Sequence, residues 1–259
     1  WRPRRVNRVK RDIDLLLSIL PFEAEWYKER GVDHVEYVGH PLSGEVKANL
    51  SRAEFCKQHK LDPSRPIVSL LPGSRHKELV RILPPMLDAV DVISSRRSDV
   101  QFVLVIAPSR SLEEAKELLS SRGSTPKVLM VHHQTRDALA ASDVAAVASG
   151  TATLEAALIG TPMVIVYKES RVNWHTLGRL INVEHYGLVN LVAGHRLATE
   201  LMQDDLEGAR LADELLKLLE PEANESQRES LKMVAQQLGE DGASNRAAKA
   251  ILKELELDN

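Results

Sequence analysis

Short runs of Val, Ile, Leu and Ala recur through the middle of the chain, and a segment with the apolar spacing of a helix follows each one. These runs are continuous rather than alternating, which indicates strands buried on both faces. Strands that alternate with helices predict an α/β fold with a doubly wound, parallel, Rossmann-like sheet. The predicted strands are 67–71, 102–106, 128–131, 144–148 and 163–167, and the helices between them are 77–95, 112–121, 135–141 and 151–159.

The two ends of the chain follow different patterns. Before the sheet, strands are predicted over 14–20 and 35–38, with helices over 22–30 and 51–59; the run at 15–20 indicates a buried strand. After the sheet, the apolar spacing is helical over 211–219, 224–238 and 243–255. We therefore divide the chain into residues 1–45, 46–220 and 221–259.

Composition narrows the function classes. The chain has 259 residues, of which 43% are hydrophobic and 27% charged, as in an ordinary globular domain. Aromatic residues make up only 4%, which argues against a stacking platform for nucleic acids, so no nucleic-acid partner is predicted. Cys56 is the only cysteine, which excludes an internal disulfide and fits a reducing compartment. No signal peptide and no apolar run of about 20 residues is recognised, so a cytoplasmic location is expected.

Although the net charge is −3, the first eleven residues contain only basic charged side chains. Two interpretations stay open for this basic start: a solvated basic edge, or a patch that meets anionic lipid or phosphate. The basic residues before the first acid are Arg2, Arg4, Arg5, Arg8, Lys10 and Arg11.

A first candidate loop follows the strand at 67–71 and reads Pro72-Gly73-Ser74-Arg75, with Glu78 one turn later. Gly73 allows close approach of the backbone to a ligand, and Ser74 is expected to cap the following helix. Exposed amides at the helix start and the guanidinium of Arg75 favour a phosphate. An ordinary turn between strand and helix is the alternative.

A second candidate loop follows the strand at 144–148 and reads Ser149-Gly150-Thr151-Ala152-Thr153, with Glu155 in the first turns of the helix. Small and hydroxylated residues at a helix start offer amides and hydroxyls to a diphosphate. The carboxylate of Glu155 can accept both hydroxyl groups of a ribose. Together they predict a nucleoside-diphosphate site, although an acid in the first turn also stabilises a helix by itself.

Other motifs give weaker evidence of function. The chain lacks the Gly-rich signatures of P-loop and dinucleotide-binding proteins, and no cofactor or metal is predicted. Asp12-Ile13-Asp14 matches the Asp-x-Asp pattern of metal-dependent glycosyltransferases, but it is interpreted as strand-edge acids. His132 and His133 are adjacent and do not form a metal pair. They are either a structural loop pair or place one ring near a ligand.

Taken in order along the chain, several segments resemble the lipid-A-disaccharide synthase family. The resemblance extends from Trp1 to about Leu219. It rests on the two candidate loops and on Asp14-Leu15-Leu16, Ile19-Leu20-Pro21-Phe22-Glu23, Val38-Gly39-His40-Pro41-Leu42, Thr161-Pro162-Met163-Val164, Asn190-Leu191-Val192-Ala193-Gly194 and Glu200-Leu201-Met202-Gln203-Asp204.

The resemblance implies a GT-B architecture and an inverting hexosyltransferase that requires no metal for the diphosphate. It implies transfer of 2,3-diacylglucosamine from its UDP donor to 2,3-diacylglucosamine 1-phosphate, giving a β-1,6-linked disaccharide phosphate and UDP. A peripheral location on the inner face of the inner membrane follows from these lipid substrates. The donor-binding residues implied are Gly73, Ser74, Arg75, Glu78, Ser149, Gly150, Thr151, Thr153, Glu155, Asn190 and Gln203.

Two departures qualify the resemblance. The family's Gly-Glu-x-Ser-Gly-Asp-like start is not in this sequence, so residues 1–45 are expected to be a remnant of the acceptor-side domain. The base that acts on the acceptor hydroxyl is expected in that domain and is not assigned. Lys168 stands where the family usually has Arg, which removes a bidentate phosphate contact. A UDP-binding chain without independent catalysis, and another UDP-N-acetylglucosamine enzyme of GT-B type, remain alternatives.

Overall fold

The computed structural model describes residues 4–122, 127–170, 174 and 185–257. Within these ranges the strands are β1 (Leu16–Ser18), β2 (Val35–Tyr37), β3 (Ile67–Leu71), β4 (Gln101–Ile106), β5 (Leu129–His132), β6 (Val144–Ala148), β7 (Met163–Tyr167) and β8 (Glu200–Met202). The helices are α1 (Arg4–Asp12), α2 (Pro21–Lys28), α3 (Leu42–Glu45), α4 (Arg52–His59), α5 (His76–Arg96), α6 (Leu112–Ser120), α7 (Thr135–Ala141), α8 (Thr151–Ile159), α9 (Leu188–Ala193), α10 (Gly208–Leu218), α11 (Pro221–Gln237) and α12 (Ala243–Leu257), with a 3₁₀ turn at Gln203–Asp205.

Six parallel strands form the main sheet in the order β5-β4-β3-β6-β7-β8, which confirms the predicted α/β class. From β3 the chain moves outward through β4 and β5, and then returns to the other side of β3 and moves outward through β6, β7 and β8. Leu70 in β3 is therefore paired with Leu104 on one side and Ala146 on the other. Ligands of such sheets bind where the strand order reverses, beyond the carboxyl ends of the strands. Here that point lies between β3 and β6.

The sheet is buried on both faces, as the continuous apolar runs predicted. Alternate residues of β3 point to opposite sides: Val68 and Leu70 join one hydrophobic cluster, and Ile67 and Leu71 join the other. The first cluster is completed mainly by α5 and α10, and the second by α4, α7, α8 and α11. The helices thus cover both faces and leave the carboxyl edge of the sheet to the loops.

The sheet has one strand more than predicted. β8 spans only three residues, Glu-Leu-Met, and pairs in parallel with β7 through Leu201 and Val166. A strand this short that begins with a charged residue has no apolar run, so the hydrophobic pattern does not reveal it. α9, which lies between β7 and β8 in the sequence, was also missing from the prediction.

The N-terminal region forms a small parallel sheet of β1 and β2. The expected buried strand over 14–20 is wrong in length and burial, because β1 has three residues and the side chain of Ile19 is 42% exposed. β2 is its only strand neighbour in the described chain, so one edge of β1 has no strand beside it. From Arg4 onward the basic start, for which no element was predicted, folds as α1 and buries Val6. Arg2 lies outside the described residues. Asp12 of the Asp-x-Asp motif ends α1, where its carboxylate accepts hydrogen bonds from Arg11.

The C-terminal helices pack against this N-terminal region. The hydroxyl of Tyr37 donates to the carbonyl oxygen of Gln237 at 2.8 Å, and the amide of His40 donates to that of Leu238 at 2.8 Å. Arg246 in α12 donates through Nε to the carbonyl oxygen of Val38 at 2.8 Å. The division at residues 45 and 220 stays a prediction. None of the helices within the described ranges has the length and apolarity needed to cross a membrane.

Candidate functional site

The two candidate loops lie side by side at the switch point of the sheet. Leu71 at the end of β3 is the register partner of Val147 near the end of β6, so the residues that follow each strand are neighbours. Together they line a pocket of about 330 Å³. Of the predicted site residues, the pocket is lined by Gly73, Ser74, Arg75, Glu78, Ser149, Gly150, Thr151 and Glu155.

In the first loop, the side chain of Glu78 turns back onto the backbone that precedes α5. Its Oε2 accepts hydrogen bonds from the amides of Ser74 at 2.9 Å and Arg75 at 3.2 Å. Its Oε1 accepts from Nη1 of Arg75 at 2.9 Å. The amides of Ser74 and Arg75, just before α5, therefore already have an anionic partner from the chain itself.

This arrangement requires glycine at position 73. The φ angle of Gly73 is +110°, and a Cβ atom there would lie 2.5 Å from Oε2 of Glu78. The expected capping role of Ser74 is wrong: α5 begins one residue later, with Arg75 as its N-cap, and no side-chain cap from Ser74 is formed. The carboxylate of Glu78 satisfies the amides instead, because it lies one turn along the helix and folds back over them.

The second loop presents an open helix start. Gly150 is the N-cap of α8; it provides no side-chain cap, and the first turn contains no acidic residue. Gly150 also has open space where a side chain would begin, with no atom within 4 Å of a Cβ built there. The start of α8, with the amides of Thr151 and Ala152 and the positive end of the helix dipole, thus lies at the pocket without an acidic residue in its first turn.

Two hydroxyl groups hold this second loop in place. Thr153 is fully buried and donates through Oγ1 to the carbonyl oxygen of Gly150 at 2.8 Å. Ser149 donates through Oγ to the carbonyl oxygen of Tyr186 at 3.0 Å, which leaves its oxygen able to accept. Thr153 therefore shapes the loop from behind, whereas Ser149 lines the pocket.

Glu155 lies on the pocket wall and is paired with a residue that the sequence did not single out. Nε of Arg136, in the first turn of α7, donates to Oε1 of Glu155 at 3.3 Å. The side chains are 34% and 21% exposed, respectively. The position of Thr135 and Arg136 in the sequence could have indicated that they lie near the pocket, because they follow β5 at the same edge of the sheet. Thr135 itself lines the pocket, together with Ala107 and Pro108, which follow β4.

Asn190 lies outside the pocket lining and is fully buried. Its Nδ2 donates to the carbonyl oxygen of Ala198 and to Oε1 of Glu200, both at 2.8 Å. Its Oδ1 accepts from the amide of Ala198 at 2.8 Å. The side chain therefore bridges α9 to the start of β8.

Gln203 also lies outside the pocket lining, in the turn after β8. Its φ angle is +55°, and its Oε1 accepts from the amide of Glu169 at 3.1 Å. Its buried Nε2 has no hydrogen-bond partner in the described structure. Glu169 in turn is paired with Arg81. Lys168 precedes it directly, just after β7.

Tyr167 connects this region electrostatically to the first loop. Burial raises the pKa of its hydroxyl, and the carboxylates of Glu169 and Glu78 raise it further, while Arg75 and Arg81 act in the opposite direction. The rings of His132 and His133, with centroids 4.0 Å apart, contact each other; neither lines the pocket.

Comparison with known proteins assigns the chain to a family. The family model described as lipid-A-disaccharide synthetase matches residues 1–254. The chain belongs to this family. A relative named lipid-A-disaccharide synthase from Solibacter usitatus (strain Ellin6076) is 43% identical over 258 residues, which is 99% of this chain and 66% of the relative. This relative and those from Geobacter metallireducens and Geobacter sulfurreducens are all longer, and the chain spans about 66% of the length of each.

Solved structures support the GT-B type of fold. A structure of MnaA from S. aureus with UDP aligns with a TM-score of 0.61 at 13% identity, over 94% of this chain and 60% of that one. A glycosyltransferase from Rickettsia africae ESF-5 aligns with a TM-score of 0.58 at 11% identity, over 98% of this chain and 66% of that one. At such low identity these structures support the fold alone. The six-stranded sheet with its covering helices is the Rossmann-like domain that the family resemblance implied.

Proposed function

We propose that this chain is the UDP-sugar-binding part of a glycosyltransferase of lipid A biosynthesis. The reaction transfers 2,3-diacylglucosamine from its UDP donor to 2,3-diacylglucosamine 1-phosphate and releases UDP. Membership of the family supports this proposal, as do the names of the relatives. A hexosyltransferase of this kind must stabilise the diphosphate as it leaves the sugar.

The observation that carries the proposal is the difference between the two helix starts in one pocket. At the entry to α5, Glu78 accepts from the amides of Ser74 and Arg75. At α8 the first turn contains no acidic residue, and Thr151 and Ala152 line the pocket beside Glu155 and Arg75. The diphosphate is therefore assigned to the amides of Thr151 and Ala152, where the helix dipole and the guanidinium of Arg75 favour negative charge. The ribose hydroxyls are assigned to Glu155.

Glu78 takes a supporting role in this proposal rather than the direct donor contact that the motif suggested. Its carboxylate is engaged by two amides and one guanidinium, and direct contact between this carboxylate and a phosphate would be repulsive without the guanidinium of Arg75 between them. Because Oε1 holds Nη1 of Arg75, Glu78 orients that guanidinium. Ser149 and Gly150 complete the wall next to the diphosphate, and Thr153 shapes it from behind.

Calorimetry with UDP, combined with a transfer assay on the two lipid substrates, tests the proposal. Glu155→Ala is expected to weaken UDP binding much more than it lowers stability, since Glu155 lies beyond the first turn of α8 and its partly exposed pair with Arg136 contributes about 1 kcal/mol or less. No UDP binding by the wild-type chain contradicts the proposal. Unchanged UDP affinity of Glu155→Ala with a large loss of stability contradicts the ribose assignment. UDP binding without transfer supports a chain that binds the donor but does not catalyse alone.

We further propose that α1 contacts the anionic surface of the membrane that holds these lipid substrates, on the inner face of the inner membrane. Arg8, Lys10 and Arg11 are exposed on this helix, while Val6 packs inward. Binding of this kind is electrostatic and weakens as salt rises.

Pelleting with anionic and neutral vesicles at low and high salt tests this surface. Arg8→Ala combined with Lys10→Ala is expected to reduce recovery with anionic vesicles. The control Lys116→Ala combined with Lys217→Ala, which removes equal charge from exposed positions elsewhere, is expected to leave recovery unchanged. Equal recovery of the wild type with both vesicle types contradicts the proposal.

A further inference from the structure

Arg136 touches the candidate site only through another residue. It is the second residue of α7 and does not line the pocket, whereas its partner Glu155 does. One edge of its guanidinium donates through Nε to Oε1 of Glu155 at 3.3 Å. The other edge donates through Nη1 to the carbonyl oxygen of Glu45 at 2.5 Å. The guanidinium is therefore held between a site carboxylate and the end of α3.

The helix that carries Arg136 is fixed to the same segment of chain. Asp137 is buried, and its Oδ1 accepts from the amides of Asn49 at 2.6 Å and Leu50 at 3.0 Å. Consecutive residues of α7 thus hold the chain at residues 45 and 49–50. This double attachment defines the position of the guanidinium before any ligand arrives.

A fixed guanidinium changes what Glu155 can do. A free carboxylate on a helix samples several rotamers and would be repelled by a diphosphate bound nearby. The pair with Arg136 selects one arrangement and offsets the charge. It occupies Oε1 and leaves Oε2 to accept a hydrogen bond from a ligand. Since the carboxylate is ordered in advance, a hydroxyl group that donates to it loses less free energy to ordering.

We propose that Arg136 is a positioning residue that orients Glu155 toward the ribose and so gives the site its preference for ribonucleotides over 2′-deoxyribonucleotides. This inference rests on the proposed function, in which Glu155 accepts from the ribose hydroxyls. The inference adds Arg136, which makes the carboxylate of Glu155 selective for a ribose although Arg136 itself lies outside the pocket lining.

The test compares the affinities of UDP and 2′-deoxy-UDP by calorimetry. Wild type is expected to favour UDP by about tenfold, which is the value of one hydrogen bond to a charged group. Arg136→Gln is expected to remove most of this preference by weakening UDP, with little change for 2′-deoxy-UDP. Glu155→Gln should lower the same ratio. Arg136→Lys should also lower it, because one ammonium does not reproduce the fork that spans both acceptors.

Arg96→Gln is the matched control, since Arg96 ends α5 near the opposite edge of the sheet and forms an exposed pair with Asp213. It is expected to keep the wild-type ratio. A preserved ratio in both Arg136 variants, combined with a lost ratio in Glu155→Gln, overturns the inference and leaves the proposed function in place. An equal loss of affinity for both nucleotides, accompanied by a lower Tm, indicates a structural role for Arg136 and also overturns it. Wild-type binding of UDP without preference contradicts the ribose assignment, and no UDP binding contradicts the proposed function.

Discussion

The carboxylate of Glu78 accepts a hydrogen bond from the amide of Ser74 at 2.9 Å, four residues earlier in the chain. The same oxygen accepts from the amide of Arg75, so one side chain satisfies both amides at the entry to α5. Only the flexible backbone of Gly73 lets the loop close over this side chain without a clash. The shape of the pocket wall and the stability of α5 therefore both depend on the side chain of Glu78.

Glu78→Ala is expected to lower the free energy of unfolding by about 1–2 kcal/mol, because the amides at the helix start lose their partner. Glu78→Gln should cost less, since an amide oxygen can still accept from Ser74 and Arg75. Urea denaturation measures both changes. Glu113→Ala, in the first turn of α6 and 74% exposed, is the control and should change stability little. Equal effects of Glu78→Ala and Glu113→Ala would contradict a capping role for Glu78.

Arg75 is the guanidinium assigned to the diphosphate, and its side chain is 79% exposed. Arg75→Ala is expected to weaken UDP binding by about 10–100-fold, as for the loss of a hydrogen bond between charged groups, and to leave uridine binding unchanged. Arg75→Lys should lie between wild type and Arg75→Ala, because it keeps the charge but loses the fork. Calorimetry with both ligands makes the comparison. A parallel loss of uridine affinity would show that Arg75 acts on the loop and not on phosphate.

Asn190 belongs to a family motif but lies outside the pocket lining. The motif suggested a place near the donor, but the side chain is buried and bridges Ala198 and Glu200. Asn190→Ala is expected to lower the free energy of unfolding by roughly 2–3 kcal/mol, because buried polar groups lose their partners. UDP affinity of the folded protein should not change.

Chemical denaturation and calorimetry on the same samples distinguish the two roles. Asn245→Ala, an exposed asparagine on α12, serves as the control for stability. Full stability of Asn190→Ala with a selective loss of UDP binding would support the donor role that the motif suggested.

The predictable parts of this fold are those that one strand or one loop encodes by itself. β3 and β6 were predicted because every residue in them is buried, which leaves a continuous apolar run in the sequence. The two loops were predicted because glycine and small polar residues follow those runs directly. That the loops lie side by side follows from the rule on strand order, since the chain reverses between β3 and β6.

The parts that were missed depend on contacts between distant residues. Arg136 reads in sequence as one exposed basic residue among many, and only packing brings it to Glu155. β8 holds its place through parallel pairing with β7 and through the buried carboxylate of Glu200, which accepts from the amides of Tyr186 and Gly187. Neither contact leaves a local pattern. Hydrophobic spacing thus does not predict the roles of charged residues whose partners are distant in the sequence.

The backbone amide of His40 joins the N-terminal region to the C-terminal segment, and its imidazole makes the stability of the protein sensitive to pH. The side chain is 7% exposed, and burial lowers the pKa of its imidazole below the usual value. Its Nδ1 accepts from the amide of Leu42 at 3.1 Å, which requires an unprotonated nitrogen. The unfolded chain therefore binds the proton more readily than the folded chain does. The stability that neutral His40 contributes is present above about pH 6.5 and is lost as the pH falls toward its lowered pKa in the folded state.

Free energies of unfolding measured between pH 7.5 and pH 5 test this dependence. His40→Asn keeps an acceptor near the amide of Leu42 but does not titrate, so its stability should fall less over this range than that of the wild type. His195→Asn is the control, because His195 is exposed and should leave the wild-type slope in place. The same slope for wild type and His40→Asn would show that groups other than His40 set the pH dependence.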